Sequence, residues 1–285
     1  VSGYVRAGSR LAALAVLTLS LLAFYSASFW RGANARRRIV RTWHVAAARI
    51  VGIHIRAQGQ IAPAGTLIAS NHVSYIDVIA LGALTEATFV AKASVAQWPV
   101  IGFLARLVNT LFVDRSSTHC LGQIKAIAAA LDDRQSVVLF PEGTSTAGRV
   151  VLPFKSTLFA AAQSAGAEVA RGTPRSVTVQ PVTIAYVKNI HGWDLPIDER
   201  RIHPWVGDDE LVPHLWAMLK HPGVVADVLF HAPVAADAFA SRKELAEHCR
   251  RASAHGLIVA RRRTALPIAE NADDWLDSPL FGLLG

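Results

Sequence analysis

The sequence predicts an α/β fold: a mostly parallel central sheet flanked by helices, with an N-terminal hydrophobic membrane helix and an amphipathic helix in front of it. Three observations predict it. From Gly52 onward, short apolar runs rich in strand formers take turns with segments of helical period. That alternation is the pattern of a parallel sheet covered on both faces. Several apolar runs end in polar turns, and a strand that ends this way and feeds a helix is where α/β folds place chemistry. Ahead of Gly52, residues 11–30 carry no charge and are followed by a cluster of arginines. The chain divides accordingly into a membrane-anchoring helical segment (1–51), a sheet-bearing domain (52–263) and a C-terminal tail (264–285).

Residues 11–30 are long enough to cross a bilayer core, at about 1.5 Å per residue. Arginines flank both ends, five of them from Arg31 to Arg41. Positive flanks stay cytoplasmic, which puts the domain on the cytoplasmic face, of the inner membrane if the source is bacterial. Tyr25 and Trp30 suit an interfacial belt. Two alternatives stand beside a span. One is a helix dipping into a single leaflet. The other is a cleaved leader ending near Ser26-Ala27-Ser28, which the arginines behind it oppose. Next, Ile39, Trp43, Ala46, Ile50 and Ile53 recur at spacings of three and four, with Arg41 and Arg49 on another face. This predicts an amphipathic helix over 39–55.

Residues 52–60 alternate apolar and polar, Ala62-Pro63-Ala64-Gly65 is a turn signal, and 66–70 reads as the return strand. Strands follow at 87–91, 110–114 and 136–140. Helices follow at 95–108, entered at Pro99, and at 121–131 and 158–165. Residues 176–186 read as a long strand broken by Pro181. A helix at 210–219, a strand at 224–230 and a helix at 241–263 complete the domain. The tail has no clear period.

Charge narrows the partners. The first acidic residue of the chain is Asp77, and nine arginines precede it. The first 76 residues thus carry +9 and the rest −1, given a total of +8. Basic residues beside an apolar anchor gain about 1 kcal/mol each near anionic lipids. An anionic membrane surface is therefore the expected partner, and no nucleic-acid motif follows. Cys120 and Cys249 form no CxxC and no disulfide framework. HExxH, a P-loop and a GxSxG elbow are all absent, so neither a metal nor a nucleotide is expected.

Two HxxxxD pairs occur, His72 with Asp77 and His203 with Asp208. Context separates them. His203 sits in a loop-like patch beside Pro204, whereas His72 sits at a strand end. On a continuous helix, side chains five residues apart diverge by about 140°. His72 and Asp77 can meet only if His72 lies in the turn before the helix. Asp77 could then accept from Nδ1–H and leave Nε2 as a base. Asn71 and Ser74 could equally serve as helix caps. A second constellation is FPEGTST at 140–146: Glu142 at a strand end, Gly143 for an unusual backbone angle, and hydroxyls on Thr144, Ser145 and Thr146. Arg115 in FVDRSS and Lys155 in LPFKS are candidate cations for an anionic group. Strand ends of one parallel sheet would converge on one crevice.

NHVSYID (71–77), FVDRSS (112–117), FPEGTS (140–145) and VQPVTI (179–184) stand in the order and approximate spacing of the four blocks of the glycerolipid acyltransferase family. Over residues 52–234 the chain resembles the lysophosphatidate (1-acylglycerol-3-phosphate) acyltransferases. The resemblance implies the fold of that family and an N-terminal membrane-docking helical segment. It implies transfer of a fatty acyl group from acyl-CoA or acyl-carrier protein to a lysolipid hydroxyl, with no other cofactor. It gives His72 and Asp77 of the HxxxxD motif the roles of base and partner. Arg115, Glu142, Gly143 and Thr144 become acceptor-binding elements, with Ser145 and Lys155 beside them. The first expected acceptor is 1-acyl-sn-glycerol-3-phosphate. One departure matters: the family's third block commonly reads EGTRS, and here Ser145 replaces the arginine, as in the related branch that acylates phosphate-free lyso-ornithine lipid. A non-catalytic lipid-binding membrane protein is the alternative of another class.

Overall fold

A computed structural model describes residues 2–113, 120–165, 176–196, 198–207 and 209–262. Gly52 is where helix gives way to sheet. Its backbone is left-handed (φ +87°), and its N–H reaches the carbonyls of Ala48 and Arg49, closing the helix before it. A Cβ there would lie 2.9 Å from the Pro222 carbonyl oxygen, so the position needs glycine twice over.

Two helices precede it: α1 (Ser2–Ala27) and α2 (Gly32–Val51), joined by a 3-10 turn at Ser28–Arg31. Trp43 Nε1 donates to Thr18 Oγ1 at 3.0 Å and ties α2 back onto α1. The first helix starts well before the uncharged stretch, because its two arginines have partners. Arg6 donates to the Lys220 carbonyl at 2.8 Å. Arg10 donates to the carbonyls of Leu219, His221 and Pro222, at 3.1, 2.6 and 2.8 Å. The amphipathic helix ends at Val51, and Ile53 and Ile55 belong to the strand that follows. Ser2–Val51 holds one stretch long and apolar enough to cross a membrane.

The remaining elements follow in order: β1 (Ile53–Gln58), β2 (Thr66–Ser70), α3 (Ile76–Leu84), β3 (Thr88–Lys92), α4 (Pro99–Leu107), β4 (Leu111–Val113), α5 (Cys120–Asp132) and β5 (Val137–Leu139). Then come α6 (Ala160–Ser164), β6 (Thr178–Lys188), α7 (Leu211–Lys220), β7 (Val224–Phe230), β8 (Val234–Ala235) and α8 (Arg242–Arg262). The strand order is β1-β7-β6-β2-β5-β3-β4, with β8 on β6. All pairings are parallel except those of β6 with β7 and β8.

Three expectations are corrected. Residues 66–70 do not return beside 53–58. All five residues of β2 are buried, so it lies in the middle of the sheet between β5 and β6, and β1 pairs with β7. Pro181 does not break its strand. It falls between Val179, paired to β8, and Val182, paired to β7, where its missing N–H removes no ladder bond on that side. The helix expected over 158–165 is a 3-10 turn, Ser156–Phe159, running into the short α6.

The sheet sorts its side chains at period two. Ile68 and Val138 join α1, α2, α3 and α7 in one core layer. Leu67, Ala69, Val137 and Leu139 join α5, α6 and α8 in the other. The carboxyl ends of β2 and β5 are thus neighbours on one edge. The tail beyond residue 262 lies outside the described residues.

Candidate functional site

The turn between β2 and α3 is built from its strand outward. Asn71 ends β2 fully buried, and its amide exchanges two bonds with the Ile184 backbone on β6, at 3.0 and 2.8 Å. It extends the sheet rather than capping α3. No side chain caps α3 at Tyr75, and the Ser74 hydroxyl has no partner among the described residues.

His72 therefore sits in the turn ahead of the helix, and Asp77 in the helix's first turn. His72 Nδ1 lies 2.8 Å from Asp77 Oδ2. The same oxygen accepts the backbone N–H of Val73 at 2.7 Å and of Ser74 at 3.0 Å. Asp77 Oδ1 accepts the Tyr186 hydroxyl at 2.8 Å. One side chain both closes the turn and binds the imidazole, and its four donors satisfy a carboxylate with no solvent exposure. Tyr186 is buried, and burial, then the Asp77 charge, keep its phenol protonated. Since a carboxylate faces Nδ1, that nitrogen carries the proton and Nε2 presents a lone pair. No described residue bonds to Nε2, and the His72 side chain is 20% exposed.

The end of β5 completes the site. Phe140 stacks on the His72 ring, with centroids 4.1 Å apart and planes at 20°. Glu142 is buried. Its two carboxylate oxygens accept the backbone N–H groups of His72 and Leu152, each at 2.8 Å. Burial pushes its pKa up, while those two N–H groups pull it back. Thr146 N–H and hydroxyl both donate to the His72 carbonyl, at 2.9 and 3.2 Å. Gly143 is left-handed (φ +72°), and a Cβ there would lie 2.7 Å from Lys155 Nζ, so the ammonium packs over this glycine. Thr144 is exposed. Ser145 donates its hydroxyl to the Trp205 carbonyl, and Trp205 N–H donates to the Val73 carbonyl at 3.0 Å.

The fold thus brings His72, Asp77, Glu142, Gly143, Ser145 and Lys155 to one edge of the sheet, with Thr144 on the same loop. Arg115 lies outside the described residues. Three contributors escaped the sequence reading. Phe140 stands in the FPEGTST run, where nothing in the sequence shows which ring it stacks on. Tyr186 is 109 residues from Asp77 and looks like any strand aromatic, and Trp205 lies in a loop. Neither gives a local signal.

The second HxxxxD pair behaves differently. His203 is buried, stacks near Tyr186 and lies edge-on to His221. Burial pushes its pKa down to about 3, so it is a neutral packing group. Asp208 lies outside the described residues. Cys249 is buried, and its thiol is pushed up to about 12, which suppresses the nucleophilic thiolate. Among the described residues, no cluster of three or more His, Cys, Asp or Glu could hold a metal. The arrangement suits one step: with Nδ1–H given to Asp77, Nε2 at an open lip could take a proton from a hydroxyl.

The Acyltransferase family model matches residues 52–185. A lyso-ornithine lipid O-acyltransferase of Rhizobium meliloti is 38% identical over 81% of this chain and 79% of its own length. One from Brucella abortus is 37% identical over 86% of this chain and 91% of its own. A 1-acyl-sn-glycerol-3-phosphate acyltransferase of Neisseria meningitidis is 36% identical over 44% of this chain and 49% of its own length. The crystal structure of a 1-acyl-sn-glycerophosphate acyltransferase from Thermotoga maritima shares the fold, with a TM-score of 0.60 over 90% of this chain and all of that one, at 17% identity.

Proposed function

The chain belongs to the acyltransferase family, and from that premise we propose that it transfers a fatty acyl group from a thioester to the free hydroxyl of a lysolipid, with lyso-ornithine lipid as the acceptor and His72 as the base. The observation that carries this is the His72–Asp77 pair, with no described residue bonded to Nε2 at the lip of the sheet. The acceptor hydroxyl lies against Nε2. Its oxygen attacks the thioester carbonyl and its proton passes to Nε2. Asp77 stabilises the imidazolium. The tetrahedral intermediate then expels the thiolate, which takes the proton back from Nε2. No acyl-enzyme forms. Glu142 and Thr146 act through the backbone, fixing where the His72 ring stands.

Two observations favour the phosphate-free acceptor. The relatives matched over most of this chain are lyso-ornithine lipid enzymes. Ser145 brings no cation, and its hydroxyl is already given to Trp205. A second reading, lysophosphatidate, draws on the Lys155 ammonium over Gly143, which suits a phosphate or a carboxylate. The donor is acyl-CoA or acyl-carrier protein. The arginines of the first 76 residues favour the cytoplasmic face, where such donors are found. Arg6 and Arg10 hold α1 along α7, which favours a hairpin lying in one leaflet over an upright span.

The test is purified protein with radiolabelled acyl donor and paired acceptors in mixed micelles. Labelled ornithine lipid formed at least tenfold faster than phosphatidic acid supports the reading. The reverse ratio moves the acceptor to lysophosphatidate. No transfer to any lysolipid, from either donor, removes the enzyme assignment.

A further inference from the structure

The first turns of helix α4 face solvent with large apolar groups: Val100 at 68%, Ile101 at 40% and Phe103 at 51% exposure. Gly102 between them is buried against the Ala96 carbonyl, which fixes the helix's rotation and leaves that ridge outward. Arg106, exposed in its last turn, donates to the Ala96 carbonyl, and Lys92 is exposed at the end of β3. An exposed apolar ridge with a cation in the last turn of its helix is the profile of an element that enters a lipid interface.

The ridge continues the hairpin surface. Tyr25, in the last turn of α1, donates its hydroxyl to the Leu107 carbonyl at the end of α4, at 2.7 Å. Phe103 and Val100 lie only about 6 and 10 Å further along that helix. On its other side the ridge leads to the site. Trp98, immediately before α4, meets Trp205 edge-on at 5.9 Å, and Trp205 meets Tyr75 edge-on at 5.7 Å. Trp205 is bonded to the backbone of Val73, next to His72.

We infer that the Val100–Ile101–Phe103 ridge of α4 is a second membrane contact, set in the same leaflet as the α1–α2 hairpin, and that the aromatic row Trp98–Trp205–Tyr75 is the apolar path by which a lipid acceptor passes from that leaflet to His72. The occupant of the ridge is a lipid surface. The inference rests on the reading that the hairpin lies in the interface, so the experiment probes both.

In the full-length protein with Cys120→Ala and Cys249→Ala, single cysteines are placed at Leu19 on α1, Phe103 on α4 and Ile258 on α8. Each is labelled with an environment-sensitive fluorophore. Vesicles of phosphatidylethanolamine and phosphatidylglycerol are then added. The expected result is a blue shift at positions 19 and 103 and none at 258, on the far face of the sheet. A shift at 19 without one at 103 overturns this inference and leaves the hairpin reading standing. Silence at 19 overturns both. Equal shifts at all three sites mean unspecific adsorption and overturn it too. Emission at 103 already blue-shifted before vesicles are added means that other parts of the chain cover the ridge, again overturning it. In parallel, Phe103→Asp should lower vesicle co-flotation about tenfold and Phe103→Leu should restore it. Equal flotation of Phe103→Asp and the parent protein counts against the contact.

Discussion

At the β2–α3 turn every carboxylate oxygen has a protein donor: four bonds reach Asp77 and two reach Glu142. Along α1 the opposite holds. Val16, Leu19 and Phe24 are each at least 65% exposed among the described residues. The first region is complete without a bilayer, whereas the second leaves a large apolar face in water. The comparison teaches that chemistry and membrane attachment are separable here. The turn is held by the sheet, through Asn71 and Tyr186, and the hairpin by α3 and α7, through Arg41, Arg6 and Arg10.

Mutations should therefore fall into two classes, and each prediction can break that division. The largest effect belongs to His72→Ala. Loss of the proposed base should lower turnover by about 10²–10⁴-fold while vesicle co-flotation stays within about twofold. Co-flotation lost together with turnover would join the two regions. Asp77→Asn should follow with about a 10²-fold loss, since an amide has one acceptor oxygen where three donors now share Oδ2. Stopped-time assays with labelled donor measure it, and a loss under threefold would reduce Asp77 to closing the turn. On the other side of the division, Leu19→Asp with Phe24→Asp should cut vesicle binding at least tenfold and spare turnover on micellar acceptor.

Smaller effects sharpen the account of the turn. Tyr186→Phe removes only the donor to Asp77 Oδ1. It should lower kcat about tenfold at unchanged KM and cost about 1–3 kcal/mol of stability for the buried acceptor left open. A change in KM alone would argue against it. The smallest effect is linked to pH. Burial raises the Glu142 pKa in the folded protein. A raised folded pKa means that folding binds a proton more tightly, so this group's contribution is fully present below its unfolded value and is lost as pH rises through the folded one. Relative to Glu142→Gln, the parent protein's Tm should therefore improve as pH falls from 7 toward 4. A difference independent of pH would show that burial and the two N–H bonds cancel.

Much of this was legible in the chain. Two apolar periods, 2 and 3.6, gave the alternation of strands and helices, because each element must bury one face. The impossibility of His72 and Asp77 meeting on one helix placed His72 in the turn, where it lies. The uncharged run and its arginines marked the membrane-facing end, and four short blocks identified the family. Strand partners were not legible. Residues 66–70 looked like a hairpin return because nothing local tells a central strand from an edge strand, and Pro181 looked like a break because its neighbours in the sheet were unknown. Tyr186 reaches Asp77 across 109 residues, Glu142 spends its carboxylate on two backbone N–H groups, and Ser145 is bonded to Trp205. Contacts of that kind depend on which chain segments the sheet order makes neighbours. Side-chain periodicity reports burial along one segment and carries no record of its partners, so only the tertiary structure decided them.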